Sequence, residues 1–289
     1  YVVAAHLGQG GMGSVYRVRD LRLDRDVAIK LLNRELMGHP TARARMEREA
    51  KALARLNHTN VVDIFDVMDH EGTLALVIEY VEGGTLTRRL IGGPLPWRDA
   101  LGFVDGILAG LKALHDEGII HRDLKPDNVL LDPKGDIPKL TDLGVAHDAV
   151  GRGMTREGAK LGTPEYMSPE QVCGGPLDAR SDLYACGILL YEMLTGQVPF
   201  HSDSEFQIYR AHVEREPDWG RLPQDLPDSV KNILRHALAK GPEKRPQSAV
   251  SMRQALLMAC ESTAGPRPQA RLRPTPTTAT PLVTQKPKN

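Results

Sequence analysis

Aromatic residues are scarce in this 289-residue chain, at 4 % of the total, so aliphatic side chains must fill its cores. Cysteine is scarcer still. Cys173, Cys186 and Cys260 are an odd, scattered set without metal-ligand spacing. They argue against a disulfide framework and fit a reducing cytoplasm. Net charge is absent, because 37 Lys and Arg balance 37 Asp and Glu. That balance gives no reason to expect nucleic acid or a membrane surface as the main partner. Long apolar runs are missing too. The longest, Ala185 to Leu194, carries a Tyr and a Glu and is far short of the ~20 residues of a membrane span. No signal peptide is visible. The chain starts at Tyr1 rather than Met, and we expect a piece of a longer protein.

What is present exceeds one compact core, so either a two-lobed unit or two small domains is expected. The first eighty residues read mostly as strands: Tyr1 to Leu7, Ser14 to Arg19, Val27 to Leu32, Val61 to Met68 and Thr73 to Tyr80. One helix, Thr41 to Leu56, places Met46, Ala50, Leu53 and Ala54 on one face. After Glu82-Gly83-Gly84 the pattern turns helical. Trp97 to Glu117 carries a stripe of Leu101, Val104, Leu108 and Leu111, and Asp182 to Thr195 reads as a central apolar helix. Ser229 to Lys240 and Ser248 to Glu261 follow as helices. The divisions are therefore 1–80, 81–261 and a tail, 262–289. The tail holds six Pro, six Thr, five basic residues and no acid. It reads as a disordered linker, either a passive spacer or a phosphoacceptor or docking segment.

Chemistry first shows in Gly8-Gln9-Gly10-Gly11-Met12-Gly13-Ser14-Val15, which fits G-x-G-x-x-G-x-V. Glycines there turn tightly and let backbone N–H groups approach phosphate oxygens. Three such glycines recur by chance in roughly one chain of this composition in five. The context narrows the reading, because a strand follows the turn where a dinucleotide-binding turn would start a helix. On the next strand, Val27-Ala28-Ile29-Lys30, a period of two puts Ala28 and Lys30 on one face. The small residue leaves room for a flat adenine, and the ammonium can reach phosphates. A lysine snorkelling from an edge strand would look the same. Glu49, on the apolar side of its helix, is the candidate partner for Lys30, and a solvated face charge is the alternative.

His121-Arg122-Asp123-Leu124-Lys125-Pro126-Asp127-Asn128 is far more specific, with a chance probability of order one in a hundred million. It resembles the catalytic loop of the protein kinase family. The family's features recur in order from Gly8 to Asp142, and the resemblance covers residues 1 to about 260. The resemblance implies an α+β fold of two lobes: a small antiparallel-sheet lobe with one main helix and a larger, mostly helical lobe. It implies a serine/threonine protein kinase of the bacterial, eukaryotic-like (Hanks) type, using ATP with Mg²⁺ or Mn²⁺. Asp123 would take or orient the acceptor's hydroxyl proton, and Lys125 would contact the moving phosphoryl group. Lys30, fixed by Glu49, would hold phosphates, and Asn128 and Asp142 would hold the metal. Leu7, Gly8, Gly10, Gly13, Val15, Ala28, Lys30, Glu79, Val81 and Leu130 would form the nucleotide slot. Asp142-Leu143-Gly144 has Leu where the family more often has Phe. Leu143 should fill an apolar slot beside Leu53, Ile64 and His121.

Gly162 to Glu170 resembles the family's segment that ends the activation loop, with Ser168 in place of the commoner Ala. Lys125 and Thr163 point to serine and threonine rather than tyrosine as acceptors. Glu170 should pair with Arg245, and Asp182 should hold the catalytic-loop backbone. Arg122 suits a phosphorylated activation-loop residue, for which Thr155 is the candidate, with Glu157 a partial mimic of a second phosphate. Implied partners are ATP, proteins with Ser or Thr acceptors, and a second copy for trans-autophosphorylation; nucleic acid is not among them. The kinase domain is expected in the cytoplasm. Any membrane tether would lie in a segment outside this sequence. Two alternatives differ in class: a nucleotide-binding pseudokinase scaffold, disfavoured because Lys30, Asp123 and Asp142 are all present, and a small-molecule kinase, which would lack the Gly162 to Glu170 segment.

Overall fold

A computed structural model describes residues 1–10, 13–33, 40–70, 73–135, 137–143 and 163–263. Thr155, Glu157, Gly144, Gly162 and residues 264–289 lie outside the described residues. Five strands, β1 (Val2–Gly10), β2 (Gly13–Asp20), β3 (Arg25–Leu32), β4 (Ile64–His70) and β5 (Thr73–Glu79), form an antiparallel sheet in the order β1-β2-β3-β5-β4. Helix α1 (Pro40–Leu53) packs beside β4. The β3 alternation works as expected. Ala28 and Leu32 face the main core with Lys30 between them, while Val27 packs with Val18 and Val77 on the other face. Strand β1 runs on to Gly10, beyond the expected end at Leu7, because Gly8, Gln9 and Gly10 still pair with β2.

The rest is mostly helical: α2 (Leu86–Leu90), α3 (Trp97–Asp116), α4 (Pro169–Val172), α5 (Ala179–Thr195), α6 (Glu205–Glu214), α7 (Asp228–Ala237) and α8 (Ala249–Thr263). A two-stranded ribbon, β6 (Val129–Leu131) with β7 (Pro138–Leu140), lies between α3 and α4 in sequence. The expected central helix is α5, whose residues Ser181 to Leu190 are all buried. It starts at Ala179 rather than Asp182, because the Asp178 side chain caps it by accepting from the Arg180 N–H at 2.8 Å. It stops at Gly196, where φ is +75°. One apolar core runs from Leu32 and Leu53 through α3 to α5, α7 and α8, and so joins the two lobes. Among the described residues, no helix is long and apolar enough to cross a membrane.

Candidate active site

The core side of β3 carries Lys30 into the space between the lobes, where it is 7 % exposed. Its Nζ lies 2.8 Å from Asp142 Oδ1. Asp142 follows β7 after one residue and takes φ = +58°, a conformation that non-glycine residues seldom adopt. Burial pushes its carboxyl up, but the Lys30 charge and hydrogen bond outweigh this and hold it below the usual carboxylate range. Glu49, the expected partner, is half-buried on α1. Lys30 forms an ion pair with Asp142, which the sequence did not suggest.

The loop 121–128 joins α3 to β6. Asp182, buried at the start of α5, holds it from below: Oδ2 accepts the His121 N–H and Oδ1 the Arg122 N–H, each at 2.9 Å. His115 Nε2 is 2.8 Å from the same carboxylate. Arg122 takes φ = +67°. The Asp182 bonds, with Gln171 Nε2 donating to the Arg122 carbonyl at 2.7 Å, over-determine that conformation.

Above this support stands Asp123. Its Oδ2 receives Lys125 Nζ at 2.8 Å and Asn128 Nδ2 at 3.0 Å. Among the described residues its Oδ1 makes no hydrogen bond. Lys125 Nζ also donates to Thr163 Oγ1 at 3.0 Å, which ties the loop to the far end of the activation segment. Asn128 Nδ2 donates again to the Asp123 carbonyl at 2.7 Å. Two acceptors on one side fix the amide so that Asn128 Oδ1 points away.

From Thr163 the chain makes one turn over Pro164–Tyr166 and enters α4 through a capping box between Ser168 and Gln171. Tyr166 Oη donates to Glu192 at 2.7 Å. Glu170 receives both Arg245 guanidinium nitrogens, at 2.7 and 2.8 Å, as expected from the sequence. Ser181 Oγ adds a third bond at 2.7 Å.

Around the cleft, Gly13 has φ = +149°, and a Cβ there would stand 1.9 Å from the Leu31 carbonyl oxygen. Only glycine fits. A Cβ on Gly8 would meet nothing within 4 Å, so the space beside it is open. Gly10 ends β1, Val15 packs on the core, and Ala28 is buried. Leu7 is 46 % exposed, while Val81 and Leu130 are half-buried. The Glu79 carboxylate accepts from Lys139 at 2.9 Å and from the Asp63 N–H at 3.3 Å, and its own N–H donates to the Asp63 carbonyl at 2.9 Å. Behind Lys30, buried Leu143 lines one cavity with Leu53 and Ile64, two of the three neighbours expected of it, and His121 is fully buried.

Sequence reasoning missed three contributors. His115 and Gln171 brace the loop, and only the Ser168–Gln171 capping pattern hinted at the second. Gly83 lets the link between the lobes close on β6, since a Cβ there would lie 2.1 Å from the Asp132 carbonyl oxygen.

Comparison with known proteins agrees with this geometry. Residues 1–257 match the protein kinase domain family. The chain is 41 % identical over 268 residues to the serine/threonine-protein kinase pkn3 of Myxococcus xanthus, covering 89 % of this chain and 49 % of that protein. It is 39 % identical over 254 residues to the serine/threonine-protein kinase PrkC of Bacillus subtilis, covering 87 % and 39 %. The chain thus spans half or less of either relative's length. The crystal structure of the Mycobacterium tuberculosis PknI kinase domain, solved as a single-site mutant, superposes with a TM-score of 0.72 at 25 % identity, covering 90 % of this chain and 95 % of that one. This chain belongs to the protein kinase family, as a Hanks-type kinase domain of the bacterial serine/threonine kind. Membership carries with it ATP binding and use of a divalent metal.

Proposed function

We propose that this domain transfers the terminal phosphoryl group of ATP to serine and threonine hydroxyls of proteins, with Asp123 as the residue that receives the acceptor. The observation that carries this is the division of labour on its carboxylate. Lys125 and Asn128 anchor Oδ2, and Oδ1 is left for an incoming hydroxyl. A carboxylate so placed takes or orients the hydroxyl proton and aims its oxygen at phosphorus. Lys125, already bonded to Thr163, offsets negative charge beside it. Lys30 binds phosphate oxygens, with Glu49 as its second partner, and the slot from Leu7 to Leu130 takes the adenine.

The donor set suits a hard cation. Asn128 Oδ1 points away from its amide's partners, and Asp142 keeps Oδ2 beyond its bond to Lys30. Two oxygen donors of this kind favour Mg²⁺, with Mn²⁺ as a substitute, and the bound ion would neutralise phosphate charge. The same reading assigns regulation to trans-autophosphorylation of Thr155 within a pair of chains.

The test is phosphate transfer from labelled ATP with Mg²⁺, to the chain and to a generic basic protein, beside Asp142→Asn, with sites mapped by mass spectrometry. Incorporation on Ser or Thr that vanishes in the variant is expected. Nucleotide binding without incorporation would return the scaffold reading.

A further inference from the structure

Helix α6 buries a histidine that the site above does not use. His212 is fully buried, packed edge-on against Phe200 with ring centroids 4.9 Å apart and against Tyr184 at 5.7 Å. Its Nδ1 lies 2.9 Å from Tyr184 Oη. Among the described residues its Nε2 is buried without a hydrogen-bond partner. Helix α6 packs on the turn Pro164–Tyr166, and the Pro164 and Glu165 backbones act on the ring as acceptors.

The tautomer follows from counting protons. Tyr184 is buried, and its hydroxyl has His212 as its one polar partner among the described residues. The phenol must therefore donate, because a buried hydroxyl proton without an acceptor is costly. Nδ1 is then the acceptor. Burial, with the Lys240 ammonium nearby, keeps the ring neutral, so its single proton sits on Nε2. Carbonyls can meet only a ring N–H, so the Pro164 and Glu165 carbonyls, one and two residues past Thr163, are acceptors for Nε2–H rather than for Nδ1.

We propose that His212 is a positioning residue for the acceptor side: its Nε2–H holds the Pro164–Glu165 main chain, and through it Thr163, where a protein substrate must dock. Tyr184 makes this a closed brace. Arg245, which grips Glu170 at the other end of the segment, lies over the Tyr184 ring at 4.8 Å. Both ends of the 163–170 segment are thus referred to one buried phenol on α5. The proposal rests on the phosphotransfer reading above for its kinetic consequence only.

The experiment compares His212→Gln, whose amide reaches the Nε2 position, with His212→Asn, whose amide reaches only Nδ1. Asn should raise the KM for an acceptor peptide roughly tenfold, the worth of one hydrogen bond to a buried carbonyl. The KM for ATP should stay unchanged, and Gln should restore most of the loss. Thermal midpoints are measured alongside, and hydrogen exchange of residues 163–170 should quicken in Asn and not in Gln. Equal behaviour of Asn and Gln, or a peptide KM that merely follows the melting temperature, would overturn the proposal. If the wild-type chain transfers no phosphate, the phosphotransfer reading fails, and the exchange rates alone decide His212: no faster exchange in Asn sinks it.

Discussion

Lys30 Nζ and Asp142 Oδ1 stand 2.8 Å apart although 112 residues of chain separate them. One comes from the sheet lobe and the other from the segment just past the strand pair of the helical lobe. The ion pair is a direct electrostatic link across the cleft, made by the two groups expected to meet phosphate and metal. On the proposed function, a nucleotide entering with its metal shares this pair. Lys30→Met should lower kcat/KM by about 10²-fold or more, the usual cost of deleting one preorganised donor to a phosphoryl group. Steady-state kinetics with nucleotide binding measured in parallel checks this, and an unchanged rate would show the lysine to be misassigned.

Asp123→Asn tests the proton acceptor. The amide keeps the shape of the carboxylate and can still face Lys125 or Asn128. Folding and nucleotide affinity should be retained, while turnover falls roughly 10²–10⁴-fold, the range for losing a general base. Retention of full activity would remove Asp123 from the role.

Asp182→Asn tests the support beneath the loop. Both carboxylate oxygens accept backbone N–H groups, so an amide must turn its own NH₂ toward one of them. A buried donor then faces a donor, at about 1–3 kcal/mol. The φ of +67° at Arg122 loses part of its support. We expect a lower thermal midpoint, faster hydrogen exchange over residues 121–123, and turnover reduced with little change in ATP affinity. Exchange at wild-type rates would mean that Gln171 and His115 suffice.

How much of this was legible beforehand depended on range. The catalytic loop could be read because its residues are contiguous and each type is demanded by chemistry. The β3 face followed from a period of two, and α5 from an apolar run that leaves no polar side. Helix α6 was missed because its buried face is only Ile208, Ala211 and His212, while its large apolar residues Phe206 and Val213 are exposed. Ribbon β6–β7 was missed because three-residue strands carry no periodic signal. The Lys30–Asp142 pair was missed for another reason. Glu49 could be argued from helical spacing, but a contact across 112 residues has no local trace.

The pair Glu170–Arg245 gives a prediction in which pH changes sign between two proteins. Burial raises the Glu170 carboxyl, but hydrogen bonds from Arg245 and Ser181 outweigh it, so the folded pKa lies below the ordinary value. The unfolded chain then binds the proton more readily. The pair's contribution is complete above the ordinary glutamate pKa of ~4.3 and is lost as pH falls through the folded value. Arg245→Met removes the counter-charge and leaves Glu170 half-buried and unpaired by Arg. At pH 7 that should cost about 3–5 kcal/mol, because breaking a buried pair leaves a charge uncompensated. Burial, the largest single influence on Glu170, is then opposed mainly by the Ser181 bond, so the Glu170 pKa rises, the folded variant takes up a proton more readily than the wild type, and its deficit should shrink between pH 7 and pH 5. The double variant Glu170→Gln, Arg245→Met should recover part of the loss and lose the pH dependence. Melting curves of the three proteins at both pH values decide the matter. A deficit in Arg245→Met that is the same at pH 7 and pH 5 would show that the arginine acts by packing over Tyr184 and not through the charge of Glu170.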